Sequence, residues 1–184
     1  LLDDVGSAYW IALKCIRASI AEFEQTGPKT AITAALCEWH EIKSVQGLIP
    51  VIYNPEFTRD KFAILAARLD KEIGTTDPVY QQICREAGEA VGNLTLQAAE
   101  KSGLDTSPLP LFFSGGVLQF NREAMKSFEA TVRSKHKVML SQPRLPTVLG
   151  AAMLALREAE VKITDSLVSQ LDTTYKNVNE LLSN

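Results

Sequence analysis

Over the first hundred residues the apolar side chains return every three or four positions, and after Pro108 that rhythm gives way to two short apolar runs separated by a helical stretch. A chain written this way predicts helices first and a strand-helix-strand-helix unit second. Tyr9, Leu13, Ile16, Ile20 and Phe23 share one face of a helix expected over about residues 6–24, which Thr26-Gly27-Pro28 ends. A second helix is expected over about 29–42, with Ile32, Ala35, Leu36 and Trp39 inward. Gly47 and Pro50 bracket a short apolar piece whose pattern assigns it to no element, and Asn54-Pro55 reads as a helix start.

Phe62, Leu65, Ala66, Leu69 and Ile73 mark an amphipathic helix over about 58–73, stopped by Gly74. Asp77 is the expected cap of the next helix, with Pro78 at its first position, a run to about Ser102 and Gly103 as its close. Gly88 and Gly92, four apart on one side of that helix, predict the close approach of another element.

Leu109 to Phe113 is short, aromatic and bounded by Pro and Gly, as a buried strand would be, and Ser114-Gly115-Gly116 ends it. A helix over about 121–134, a second strand over 137–140 and a helix over about 147–160 follow. This order implies parallel pairing through a right-handed crossover. Thr164 should cap a tail helix that carries Leu167, Leu171, Tyr175, Val178 and Leu182 in step. Two parallel strands leave a face and an edge that proteins normally cover, so the expectation is an incomplete sheet whose other strands lie outside this chain. The start at Leu1, not Met, carries the same expectation of a piece of a longer protein.

Composition narrows the functions. Of the 184 residues, 19 are Lys or Arg and 22 Asp or Glu, a net charge of -3 that offers no global positive field to nucleic acid. No apolar run approaches the roughly 20 residues a membrane span requires, and the expected location is the cytoplasm. Cys15, Cys37 and Cys84 each sit within a helical pattern, which suits reduced thiols, and His40 and His136 have no Cys or His at ligand spacing, so no metal site is expected.

Two segments remain that could carry chemistry. In "LFFSGGVLQFN" a pair of glycines stands at the carboxyl end of a predicted strand, where open α/β sheets bind ligands and where a backbone without Cβ atoms lets a ligand come close. No Gly-Lys-Ser/Thr follows, so this is not a Walker A loop. In "LLDDVGSAYWIA" Asp3 and Asp4 precede a helix, where carboxylates either cap it or accept hydrogen bonds from a sugar; spacing does not choose. Two remote histidines build no Ser/His/Asp or Cys/His nucleophile set.

"LDDVGSAYWIA" resembles the G-D-E-G-S-A/G-Y-W-I segment of the N-acetylglucosamine kinase family, part of the BadF/BadG-type ATPase group in the sugar-kinase/Hsp70/actin superfamily. "TDPVYQQICREAGEAVG" is similar to that family's long D-P helix, "LFFSGGVLQFN" to its strand and adenosine loop, and "PRLPTVLGAAMLAL" to its closing helix. The resemblance covers about residues 1–156. It implies a helix-rich α/β fold, the C-terminal lobe of an actin-like ATPase (ribonuclease H-like) fold with a helical insertion over 1–160, followed by the amphipathic tail over 161–184.

It also implies an ATP-dependent amino-sugar kinase with ATP and Mg²⁺ as cofactors and an amino sugar such as N-acetylglucosamine as substrate. Asp4 matches the Asp that contacts the sugar, while Ser114, Gly115 and Gly116 match the loop beside the adenosine. Asp3 stands where the family has Gly and Val5 where it has Glu, which removes that Glu's hydrogen bond. The family's phosphate loops and catalytic Asp precede the segment matched at Leu1, so no catalytic residue is assigned in this chain and half a cleft should not turn over alone. The expected docking partner is the kinase's own N-terminal lobe, with a homodimer contact as a second expectation.

Two rivals share the residues: a non-catalytic nucleotide- or sugar-binding regulatory module, and a BadF-type ATPase that serves an iron–sulfur protein. The latter needs cysteine ligands on an exposed loop, whereas these cysteines fall in helical patterns.

Overall fold

In the computed structural model, residues 4–104 and 106–182 are described. The first helix, α1 (Ala8–Phe23), opens two residues later than the periodicity suggested, because Ser7 and not an aspartate is its cap: the Ser7 hydroxyl accepts from the Trp10 N–H at 3.1 Å. Gly6 precedes it at φ +82°, and a Cβ there would lie 2.5 Å from Val91 Cγ2 and 2.8 Å from the Ala87 carbonyl oxygen. Glycine is therefore required where the chain enters α1.

Helix α2 (Ala31–Trp39) is shorter than the expected span. The piece that pattern alone left unassigned is a 3₁₀ turn (Val45–Gly47) running into a short helix, α3 (Leu48–Ile52), with Pro50 inside its first turn where a missing N–H costs nothing. Asn54-Pro55 does not start a helix. The Asn54 side chain accepts from the Glu56 N–H at 2.9 Å and its carbonyl from the Phe57 N–H at 2.8 Å, so the local side-chain bond makes a turn, and α4 (Arg59–Ile73) begins only after Thr58.

Asp77 caps α5 (Pro78–Ser102) as expected, accepting from the Tyr80 N–H at 2.7 Å, and Gly103 closes it in the left-handed conformation. It also does more. The second Asp77 carboxylate oxygen accepts from the Ala31 N–H at 2.7 Å and the Thr30 hydroxyl at 3.0 Å, so one buried carboxylate ties together the N-termini of α2 and α5. A single such cap contributes about 1–2 kcal/mol, and this one offsets the burial of its charge by serving two.

After α5 come β1 (Leu109–Phe112), a short helix α6 (Gly116–Phe120) that the sequence did not signal, α7 (Arg122–Arg133), β2 (Val138–Ser141), α8 (Thr147–Glu158) and α9 (Asp165–Leu182). The two strands pair in parallel: the Leu109 N–H donates to the Lys137 carbonyl at 2.8 Å and the Phe113 N–H to that of Ser141 at 3.1 Å. The expectation of a buried β1 fails. Leu109 is buried, but Phe112 is 71% exposed, because only one face of this pair is packed and the side chains alternate across it.

The chain divides into two compact units. One takes the chain up to Leu111 together with Gly115–Met139. Its core joins Ile11, Cys15 and Ile16 of α1 with Ile32 and Leu36 of α2, Leu65 and Leu69 of α4 and Tyr80, Ile83 and Cys84 of α5. On the other side of α5 the glycine prediction holds, since α7 packs along it. A Cβ at Gly88 would lie 2.0 Å from the Ala124 carbonyl oxygen, and one at Gly92 2.7 Å from Thr131 Cβ. The second unit takes Phe112–Ser114 and the chain from Leu140 onward, with Leu149 buried in α8 and the Thr164 hydroxyl capping α9 through the Leu167 N–H at 3.3 Å. Among the described residues no helix is long and apolar enough to cross a membrane.

Candidate functional site

At the diglycine corner the backbone is open. Gly115 has φ +101° and ψ 147°, a conformation that belongs to glycine, and among the described residues a Cβ built on it would meet nothing within 4 Å. Gly116 is equally free: its nearest neighbour is Phe120 Cδ2, 3.9 Å from where a Cβ would stand. Ser114 is exposed.

Phe120 leads from this corner into an open pocket of about 300 Å³, at the small end for ligand sites, lined by Asp70, Gly74, Thr75, Gln81, Cys84, Asn121, Arg122 and Glu123 as well. Phe120 itself is 80% exposed, an aromatic face without cover at the rim. On the pocket wall Asn121 does three things. Its side-chain oxygen caps α7 by accepting from the Ala124 N–H at 2.8 Å, and its amide nitrogen donates to Asp70 Oδ1 at 2.5 Å and to Cys84 Sγ at 3.1 Å. One buried side chain therefore fixes α4, α5 and α7 around the pocket.

Charge on this wall is tuned in opposite directions. Burial lifts the Asp70 carboxyl above the ordinary carboxylate range, although the Tyr80 hydroxyl and the Asn121 amide pull it back. Glu123 is held below that range by hydrogen bonds from Arg85, at 3.1 Å, and Lys126, at 3.3 Å. Burial also pushes the Cys84 thiol up to about 11 and that of Cys15 further, so both stay protonated at neutral pH. The three cysteines are free, with Cys15 and Cys84 buried in helices, as the pattern implied.

Asp4, the second candidate, does not cap α1. Its carbonyl accepts from the Ser7 N–H at 3.1 Å, while its carboxylate pairs with Arg59 at the start of α4. Asp3 lies outside the described residues. His40 is half-buried with its ring 6.1 Å from that of Phe57, and burial, then the charge of Arg68, lowers its pKa; His136 is exposed. Neither belongs to the corner or the pocket.

Sequence reasoning named the glycines and Asp4 as candidates and gave no signal for Asp70 and Phe120 of the pocket or for Arg59 beside Asp4. It placed Asn121 only at a helix start. An Asn immediately before Arg-Glu reads as a cap, and that signal was present, but its two further bonds come from residues 37 and 51 positions away. Among the described residues no group of three or more His, Cys, Asp or Glu lies close enough together to hold a metal ion.

No family model matches the chain. It is 30% identical over 165 residues to an N-acetyl-D-glucosamine kinase of Dictyostelium discoideum, an alignment covering 85% of this chain and 50% of that protein. It is 24% identical over 161 residues to an N-acetylmuramic acid/N-acetylglucosamine kinase of Clostridium acetobutylicum, covering 87% of this chain and 53% of that one. The chain spans about half the length of the curated relatives it matches.

Proposed function

We propose, from the premise that this chain is an N-acetylglucosamine kinase-like family member, that it is the C-terminal lobe of an ATP-dependent amino-sugar kinase. In this reading residues 1–160 form the lobe and 161–184 its C-terminal amphipathic helix. The lobe supplies the adenosine side of the cleft through Ser114, Gly115 and Gly116 and part of the sugar site through Asp4. One observation carries it: among the described residues nothing but the edge of Phe120 comes within 4 Å of where side chains at Gly115 and Gly116 would stand, and Phe120 also lines a pocket of about 300 Å³. A flat base could approach that backbone closely and stack on the exposed aromatic ring. The residues present thus fit a purine.

Bound ATP would supply the phosphoryl group, and this chain's residues would orient the two substrates. Such transfer depends on holding donor and acceptor in line and on stabilising charge, so a lobe that binds both ends positions the reaction without itself taking a proton. For Mg²⁺ the described residues offer no cluster of three ligands, and no step is assigned to it. Asp4, an ionised acceptor, would bind a sugar hydroxyl.

The test is an ATP-dependent phosphorylation assay with N-acetylglucosamine on the full-length protein, beside the same assay on this chain alone. Turnover by the full-length protein and none by the chain is the expected result. Nucleotide or sugar binding without turnover in the full-length protein would instead favour a non-catalytic regulatory module, and no binding of either would end the reading.

A further inference from the structure

The cation at the start of α4 is in the wrong place for the helix it begins. Arg59 is the first residue of α4, where the helix dipole favours anions and opposes a positive charge. Asp60, next to it, suits the position, and Arg59 does not. Its partner lies elsewhere in the sequence. The guanidinium pairs with Asp4 Oδ2 and lies over the Tyr9 ring, 5.0 Å from the ring centre.

That ring is fixed from behind. Tyr9 meets Phe62 edge-on at 5.0 Å and Phe62 meets Phe57 at 4.8 Å, with Phe62 buried in the core. The Arg59 plane is thereby held on a rigid platform rather than swinging free in solvent. Asp4 Oδ2 is itself buried, and among the described residues it is the Arg59 guanidinium that offsets its charge. The side chain of Asp4 nevertheless keeps 29% of its surface accessible, and that surface lies on atoms other than Oδ2. One carboxylate oxygen is anchored inward while the side chain as a whole stays partly accessible.

We infer that Arg59, seated on Tyr9, is a positioning residue that holds the Asp4 carboxylate aimed so that it can accept a hydrogen bond from a hydroxyl of the amino sugar. This rests on the sugar-site reading of Asp4 given above. The pair is half-exposed and so contributes little to folding. A device at odds with its own helix and of small value to stability is explained by what it orients.

The experiment uses the full-length protein and compares wild type, Asp4→Asn, Arg59→Gln and Arg59→Lys in steady-state assays with N-acetylglucosamine and ATP, with thermal unfolding of each. Arg59→Gln should raise the sugar KM roughly tenfold, the scale of a misplaced binding group, while the ATP KM and the melting temperature stay put. Arg59→Lys, which keeps the charge but not the guanidinium plane on Tyr9, should recover only part of that loss. An unchanged sugar KM in Arg59→Gln while Asp4→Asn raises it would overturn the positioning role and leave the kinase reading standing. A rise in both KM values together with a lower melting temperature would reduce Arg59 to a structural part and overturn it equally. A wild-type protein that phosphorylates no amino sugar, or an Asp4→Asn variant with an unaltered sugar KM, would remove the underlying reading and this inference with it.

Discussion

Two pairs of glycines do opposite jobs. Gly88 and Gly92 exist so that protein can fill the space a side chain would take, whereas Gly115 and Gly116 face space into which, among the described residues, only the edge of Phe120 reaches. The first pair lets α7 lie directly on the backbone of α5; the second leaves the start of α6 bare beside a small pocket. What separates them is the neighbour and not the residue. A glycine whose missing Cβ is occupied serves packing, and one whose missing Cβ is vacant needs either backbone geometry or a ligand to account for it.

Substitution to Ala should separate these cases by size of effect. At Gly88 the new methyl would strike the Ala124 carbonyl oxygen, backbone that cannot rotate away, and Gly88→Ala should cost about 3 kcal/mol in chemical denaturation even after the gain in helix propensity. Gly92→Ala meets the Thr131 side chain instead and should cost less, about 1–2 kcal/mol by the same measurement. If either were neutral, the close approach of α7 would be wrong.

Gly115→Ala has room but not freedom, since φ is +101°. A loss of about 1–2 kcal/mol from backbone strain is expected, read as a lower midpoint of urea unfolding with unchanged slope. Gly116→Ala has both room and an ordinary backbone, so stability should move by less than about 0.5 kcal/mol. It is the sharpest probe of the pair: titration with a fluorescent ATP analogue should show several-fold weaker binding by a protein of unaltered melting temperature, whereas equal affinity would reassign the corner to turn geometry alone.

The pocket wall adds a pH signature. Folding raises the Asp70 pKa, so the native state keeps this proton to higher pH than the unfolded chain does. The stability it contributes is complete below the ordinary carboxylate value and is lost as pH rises from there through the raised value. Asp70→Asn should flatten that decline and leave the protein slightly more stable at neutral pH, by well under about 1 kcal/mol because the carboxyl is only half-buried. Unfolding curves from pH 3 to 7 check the sign; a steeper decline in the variant would contradict it.

Much of the fold was legible because it is local. The three-and-four spacing of Phe62, Leu65, Leu69 and Ile73, the Asp77-Pro78 start, the Gly103 stop and the Thr164 cap each act within a turn or two of helix, and each stands where the pattern placed it. The misses have a physical cause as well. Asn54-Pro55 carries the signal of a helix start and of a turn alike, and the Asn54 side chain chose the turn. The exposure of Phe112 could not be read from an aromatic run, because whether a strand is covered depends on what packs over it.

The candidate site divides along the same line. Gly115, Gly116 and Asp4 were visible as residue types at telling positions, and the ordered motifs around them carried the family resemblance. Their partners were not visible. Arg59 reaches Asp4 across 55 residues, and Asn121 reaches Asp70 and Cys84 across 51 and 37, contacts to which no spacing along the chain corresponds.

By itself the amino-acid order determined where α4 and α5 begin and end, which faces α2 and α4 bury and which glycines would matter, since propensity, capping and periodicity are short-range; the face it gave α1 did not hold, Ile20 and Phe23 being 40% and 49% exposed while Ile11, Ala12 and Cys15 are buried. Only the tertiary structure decided that one glycine pair is sealed and the other bare, that one aspartate joins two helices and another meets an arginine. Those outcomes depend on which atoms arrive from far along the chain to share, or to leave empty, the same few ångströms.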